Sequence, residues 1–567
     1  MRTVTSEVQS QLLAVIVVVI VAGCFELSFG SPLYKYRCVR DKCLRQQKDS
    51  LKDHEQYLDS LNECRLVCGE FRALWPIPAV VVNLGQETRE FVPSDIKFDF
   101  HTSPDDADVQ NYLNQTTRVF LKNLYKECGR NCNRTTNTRI YFSVKVETTE
   151  TSLTWTTDES YDLFVEDHEG LLEISIVAPT VFGARHGLET TTLTTRTEDS
   201  FWTRPGTSFP FEPSSAKLNV LHWHITDSQS FPLEMPSLPL MTKYGAYSKK
   251  QIYTQQDVRS VFEYAKLRGI RVLLEFDAPA HAGNGWQWAP AAGLGSLAVC
   301  VNQQPWRKLC IEPPCGQLNP ANPNLYPTLQ KLYADFSGLI PPQEILHMGG
   351  DEVFFGCWNA TREIVDYLEG QGKSRGEDDF LDLWGEFQAN VLRLWDKQRQ
   401  GLEQLQPTIL WSSHLTDPAV IEKYLPKERY VVQTWVESDK DLPLQLVRKG
   451  YRLIVSTKNA WYFDHGFWGV TNYYNWRKVY NNKLLKSTKV LGGEACIWTE
   501  FIDENSLDSR TWPRLAAVGE RLWANPLQDA SKAEGRFYRH RERLITRGLR
   551  PEAVAPKWCE QNEGECQ

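Results

Sequence analysis

The residues with the clearest chemical potential are the adjacent acids that close His347-Met348-Gly349-Gly350-Asp351-Glu352, an apolar run ending in two glycines. Neighbouring side chains on a strand point to opposite faces, so two adjacent carboxylates can do different jobs at one site only if the chain turns at Gly349 and Gly350. The bland alternative is that one acid caps the next helix while the other is solvated. Other apolar runs carry the same kind of ending: His224 and Asp227, Asp277 and His281, Trp411 and His414, Trp435 and Glu437, Trp461 to Asp464, and Trp498 with Glu500. That recurrence favours a shared site built from many strand ends.

The elements that would position these residues are legible from Lys217 onward, where short apolar strands alternate with amphipathic helices in repeated βα units. Strands are expected at 218–226, 270–277, 344–352, 408–414, 430–436, 451–458 and 490–498, with helices at 257–269, 380–400 and 514–523. A (β/α)8 barrel assembles its active site at the carboxyl ends of its strands, which matches this pattern. An open doubly wound sheet fits less well, because no Gly-rich phosphate loop follows any strand. The eighth strand belongs before Leu218, but Thr190–Ala216 is rich in Thr, Ser and Pro and reads as loop, so the barrel is expected to lack its first βα unit. A smaller shortening is expected in the loop between Tyr480 and Val490. The domain reading is a signal peptide over 1–30, a cysteine-stapled, helix-leaning cap over 31–68, an α+β domain over 69–187, an irregular segment over 188–216, and the barrel with a C-terminal extension over 217–567.

Composition bounds the class. The 567 residues are 41% hydrophobic and 12% aromatic, enough for a large core and a partner domain. A net charge of -8 without long like-charge blocks excludes a nucleic-acid footprint or a polybasic membrane patch. The 19 tryptophans suit sugar faces as well as cores. The apolar run Leu12 to Phe25, after Arg2 and before Gly30 and Ser31, has the layout of a secretory signal. It is shorter than a spanning helix needs, so membrane contact follows only if the run is not cleaved. Beyond Cys24 the cysteines cluster: Cys38, Cys43, Cys64 and Cys68; Cys128 and Cys132; Cys300, Cys310, Cys315 and Cys357; Cys559 and Cys566. An oxidising compartment explains this better than zinc, which would want nearby histidine pairs. Cys496, inside an apolar run, is expected as a buried free thiol. Sequons at Asn114, Asn133 and Asn359 agree with secretion.

His347 to Cys357, HMGGDEVFFGC, together with Leu221 to Phe231, LHWHITDSQSF, resembles the β-N-acetylhexosaminidases of glycoside hydrolase family 20, above all their insect chitooligosaccharidolytic and fused-lobes-like members. The resemblance covers nearly the whole chain except the signal and Thr190–Ala216. It implies exo-hydrolysis of terminal β-linked N-acetylglucosamine, with the substrate's own 2-acetamido carbonyl as nucleophile and retention of configuration. It implies Glu352 as the acid and then base, and Asp351 as the group that holds the acetamide N–H. Asp227 and His281 would hydrogen-bond towards the acid. Tyr462 would bind the acetamido oxygen, Trp411, Trp435 and Trp498 would wall the sugar, and Asp464 and Glu500 would bind its hydroxyls. Trp476 and Glu312 would serve the next sugar.

The same family carries an arginine at the end of its first barrel strand, and neither Arg196 nor Arg204 stands in a matching motif. A catalytically impaired sugar-binding relative, or a truncated form, is therefore the alternative to an active enzyme. An endo-acting chitinase-like enzyme is disfavoured, since no D-x-x-D-x-D-x-E strand is present. No metal or organic cofactor is expected. The implied partners are an oligosaccharide or glycoprotein glycan and a second copy of the chain, with a secreted or lysosomal location.

Overall fold

The computed structural model describes residues 16–20, 33–52, 54–79, 82–102, 105–128, 132, 136–193, 213–401 and 405–566. The signal-peptide reading falls outside them except for Ile16–Ile20, a strand running parallel to Asn83–Arg89. No helix among the described residues is long and apolar enough to cross a membrane.

The cap was expected to lean helical, and instead opens with an antiparallel hairpin, Tyr34–Val39 against Lys42–Gln47, followed by one short helix, Leu61–Val67. Arg40 and Asp41 form a two-residue turn with both φ angles positive, at 50° and 67°. That geometry matches strand twist, but without glycine or asparagine it leaves little sequence signal. Disulfides Cys38–Cys68 and Cys43–Cys64 staple the hairpin to the helix. Buried Arg65 then ties the cap to the carboxyl terminus through Glu563 at 2.6 Å.

The first domain is built on a four-stranded sheet: β1 (Ile96–Thr102), β2 (Arg139–Val146), β3 (Asp162–His168) and β4 (Leu171–Ala178), in the order β1-β2-β4-β3 with only β3 antiparallel. Alternate residues of β2 and β4 are buried, the period-two pattern of a sheet covered on one face. The cover is α1 (Ala107–Cys128) and α2 (Val181–Leu193), through Tyr112, Leu113, Phe120, Phe182 and Leu188. α2 runs on into the Thr-rich stretch that the sequence suggested was loop. Thr190 and Thr191 hydroxyls donate to the carbonyls of His186 and Gly187, both at 3.1 Å, which satisfies their polarity inside the helix. Residues 194–212 lie outside the described residues, and Pro213–Ala216 is a single 3-10 turn.

The second domain is an α/β barrel of the TIM type. Its strands are β5 (Val220–Thr226), β6 (Arg271–Phe276), β7 (Thr408–Trp411), β8 (Tyr430–Thr434), β9 (Arg452–Val455) and β10 (Val490–Gly493). All pairs are parallel, and His347 bridges Glu275 of β6 to Ile409 of β7, so the chain around it fills the strand position between them. β6, β7 and β8 are buried along their whole length, as strands covered by helices outside and packed side chains inside must be. The principal covering helices are α3 (Gln255–Lys266), α4 (Leu325–Leu339), α5 (Glu377–Gln398) and α6 (Arg514–Ala524). Among the described residues no strand pairs with the outer edge of β5 or of β10. Between those edges lies a cavity of about 470 Å³ lined by Val220, Leu221, Leu273, Ile409 and Leu491, and His222 reaches across it to Glu494 at 3.0 Å.

Candidate active site

The acid pair owes its placement to a backbone turn. Gly349 and Gly350 have φ of 62° and 82°, and a Cβ on Gly349 would stand 1.8 Å from Oδ1 of Asp277. Only glycine allows the chain so close to the end of β6. Gly350 N–H donates to that same oxygen at 2.9 Å, and Trp411 N–H of β7 donates to Gly349 O at 2.9 Å. Glu352 follows with φ of 49°, a left-handed conformation that swings its carboxyl to the same side as Asp351. His281, at φ 50°, is held in the same uncommon region. Such backbone is sustained only where the surroundings enforce it.

His281 joins the acids. Its Nε2 lies 3.5 Å from Glu352 and 4.0 Å from Asp351, and its Nδ1 lies 3.5 Å from Asp227. Burial works against a charged imidazole here, but Asp227, Asp277 and Asp351 outweigh it and hold His281 well above the usual histidine range. Asp351 is pushed up to about 6, by burial first, then by Glu352 and Glu275, with His281 and a hydrogen bond from Asp277 pulling the other way. Burial and the neighbouring Asp351 charge push Asp277 well above the carboxylate range.

The walls come from the later strands. Trp411, Tyr462 and Cys496 pack together with Trp435 and Trp498, and Trp411 and Trp498 ring centroids are 6.1 Å apart. Tyr462 is pushed well above the phenol range by burial and by Cys496, Asp351 and Asp464. Asp464 is buried, accepts from the Trp468 indole at 3.0 Å, and keeps Oδ1 without a hydrogen-bond partner. Glu500 and Glu312 sit at the mouth, and both carboxyls are raised, by burial first and then by neighbouring acids, Glu312 for Glu500 and Glu352 for Glu312.

Trp476 is a correction. It lies on the short helix Trp476–Asn481, fully buried, stacked on Phe537 at 4.0 Å, in a core cluster with Trp75 and Trp512. It packs the barrel against the C-terminal helix α7 (Ala530–Thr546) and does not reach the site. The aromatic that does approach Asp464 is Trp468, which sequence reasoning passed over. Also missed was Glu275, fully buried inside the barrel, with His222 and His224 at 2.9 Å, His347 at 3.2 Å and the Trp411 indole at 2.8 Å. A single acid within the apolar strand Arg271–Phe276 was the available signal.

Among the described residues three donor sets in this region are close enough to hold a cation, His222 with Glu275 and His347, His224 with Glu275 and Asp277, and Asp277 with His281 and Asp351; a fourth, Cys43 with Cys64 and Cys68, is taken up by disulfides. In the first, His222 is already held between two carboxylates and His347 Nδ1 accepts from Gly349 N–H at 3.0 Å. Among the described residues the cysteines pair as Cys38–Cys68, Cys43–Cys64, Cys128–Cys132, Cys300–Cys357, Cys310–Cys315 and Cys559–Cys566, leaving Cys496 free and buried. Cys310–Cys315 closes the loop that carries Glu312. Asn114 and Asn359 are exposed, and Asn133 lies outside the described residues.

The chain is similar to known proteins over most of its length. Residues 214–526 match "Glycosyl hydrolase family 20, catalytic domain", and residues 74–192 match "beta-acetyl hexosaminidase like". The chitooligosaccharidolytic β-N-acetylglucosaminidase of Bombyx mori is 33% identical, with 98% of this chain and 99% of that protein covered. The probable β-hexosaminidase fdl of Drosophila melanogaster is 33% identical over 94% of this chain and 91% of its own length. Among solved structures, an exo-β-N-acetylglucosaminidase from Vibrio harveyi shares the fold with a TM-score of 0.63 at 18% identity, over 92% of this chain and 84% of that one. With the acid pair, the barrel and these likenesses in register, the chain belongs to glycoside hydrolase family 20.

Proposed function

We propose that this chain is an exo-acting β-N-acetylhexosaminidase that removes terminal non-reducing β-linked N-acetylglucosamine from chitooligosaccharides, N-glycans or both. The observation that carries the reading is the left-handed turn that sets Asp351 and Glu352 side by side, with His281 reaching both. Glu352 protonates the leaving glycosidic oxygen and afterwards takes a proton from the attacking water. The substrate's acetamido oxygen attacks the anomeric carbon, with the acetamide N–H on Asp351 and its oxygen on Tyr462. The ionised Asp351 offsets the positive charge that develops on the acetamide. Trp411, Trp435 and Trp498 enclose the ring. The orphaned Asp464 Oδ1 is a buried acceptor in need of a donor, which a sugar hydroxyl supplies, and Glu500 takes another. Glu312 borders the next sugar. An active acid pair of this kind disfavours the sugar-binding alternative.

In the same proposal the barrel lacks its first βα unit. The edges of β5 and β10 that no strand pairs among the described residues, and the apolar cavity between them, support this, and it leaves the sugar's hydroxyls to Asp464 and Glu500 instead of a first-strand arginine. Six disulfides support passage through an oxidising compartment, hence a secreted or lysosomal location with glycans on Asn114, Asn133 and Asn359. The homodimer implied by the resemblance is checked by the mass of the purified chain in solution. The activity is tested with chitotriose labelled at its reducing end. Exo action releases unlabelled N-acetylglucosamine first and leaves labelled disaccharide, whereas early release of labelled monosaccharide contradicts attack from the non-reducing end.

A further inference from the structure

From the acid to the barrel interior, acids and histidines alternate, each within ion-pair distance of the next. From Glu352 the series runs to His281 at 3.5 Å, to Asp227 at 3.5 Å, to His224 at 2.9 Å, to Glu275 at 2.9 Å, to His222 at 2.9 Å and to Glu494 at 3.0 Å. The assignment of Asp227 and His281 belongs to the reading above. We propose that His224 and Glu275 are positioning residues that set the protonation of Glu352 through Asp227 and His281, so that the catalytic acid is tuned from inside the barrel.

The geometry gives each member one role. Glu275 is fully buried and faced by His222, His224, His347 and the Trp411 indole, with Asp277 and Asp351 also acting on it. No lysine or arginine is among these neighbours, so its charge is matched by imidazolium alone. His224 touches Glu275 through Nδ1 and Asp227 through Nε2, and its remaining face meets the Trp498 ring edge-on at 5.0 Å. Nε2 is hydrogen-bonded to Asp227, and Nδ1 stands at ion-pair distance from Glu275, so the ring has a carboxylate on each side and its charged form is favoured. Consistently, His224 is held well above the usual range although burial opposes it, with Glu275 and Asp227 as the opposing causes. Asp227 is lowered, against burial, by His281 and His224, and also takes the Ser228 backbone N–H. His281 is faced by Asp227, Asp277, Asp351 and Glu352. Charges alternate along the series, so a change at one member acts on Glu352 with a sign fixed by that member. No proton has to travel along it: Glu352 gives its proton to the leaving oxygen, and the fixed charges set how readily it does so.

The inference rests on Glu352 being the acid, and the pH profile of kcat/KM in the full chain tests it. Removing the positive charge in His224→Gln raises the alkaline limb, because Glu352 then loses its proton less readily. Removing the negative charge in Glu275→Gln lowers that limb. Each shift is about half a pH unit for a charge at this range in a partly screened interior. Glu494→Gln, at the partly exposed far end, lowers the limb less and covers the case in which Glu275→Gln does not fold. A purely structural role changes kcat or yield and leaves the limb in place. Limbs that stay put, or move in the same direction in His224→Gln and Glu275→Gln, overturn the inference. Absence of turnover in the parent chain overturns the reading of Glu352 and this inference with it.

Discussion

At the residue scale, Asp351 carries a conflict between stability and chemistry. Its carboxyl is raised from 3.8 to about 6, so the fold favours the protonated form, while the proposed role requires the anion. The stabilising contribution is present below the unfolded value and is lost as pH rises through about 6. Asp351→Asn is therefore expected to melt higher than the parent above about pH 6, by a few degrees, with the gap closing towards pH 4. The same variant loses the acid limb of kcat/KM near pH 6, since no carboxyl remains there to ionise; melting curves and pH profiles of both proteins check the two statements together. The acid pair was legible in the sequence because two acids follow two glycines at the end of one of many apolar runs with polar ends, and the role of His281 came from the family resemblance. Trp476 was misread because a tryptophan stacked on phenylalanine in a core and one that walls a sugar leave the same letter. Glu275 was hidden because its partners come from β5, from His347 and from β7, a proximity that no spacing records.

At the element scale, the loop from Cys300 to Cys315 reaches the mouth because Cys300 is tied to Cys357, just beyond the acid pair, closing 57 residues. Replacing both cysteines by serine is expected to cost about 2–4 kcal/mol in unfolding free energy, measured by denaturant titration. It also raises KM more than it lowers kcat, because Glu312 and not the acid pair is set loose. The barrel strands were legible as apolar runs, and the structure shortens most of them, ending Thr408–His414 at Trp411 and Val490–Trp498 at Gly493. The polar ends belong to turns that leave the sheet, which is where the site is made. The cap was not legible, because a hairpin turned by Arg40 and Asp41 and held by disulfides needs neither glycine nor a strong strand pattern.

At the scale of the whole molecule, the two domains are joined by buried charge. Glu127 of α1 takes Arg543 of α7 at 2.9 Å and Arg547 just beyond it at 2.9 Å, and Arg547 also reaches Glu189 of α2 at 2.6 Å. Glu127→Ala leaves two buried guanidinium groups short of a carboxylate and is expected to cost about 3–5 kcal/mol. Two calorimetric transitions in place of one are the predicted signature, since this network docks one domain on the other. The alternation of strand and helix made the barrel readable, while most of the run of Thr, Ser and Pro before Leu218 lies outside the described residues. The cavity between β5 and β10, and His222 spanning it, follow from the three-dimensional closure of the other strands and could not be read from the order of residues.

The most direct test of the account is hydrolysis of a chromogenic N-acetyl-β-glucosaminide by the purified chain beside Glu352→Gln. The account predicts turnover by the parent and a loss of at least about a hundredfold in the variant at unchanged melting temperature. Equal rates for the two, or a folded parent chain that does not turn over, would contradict it.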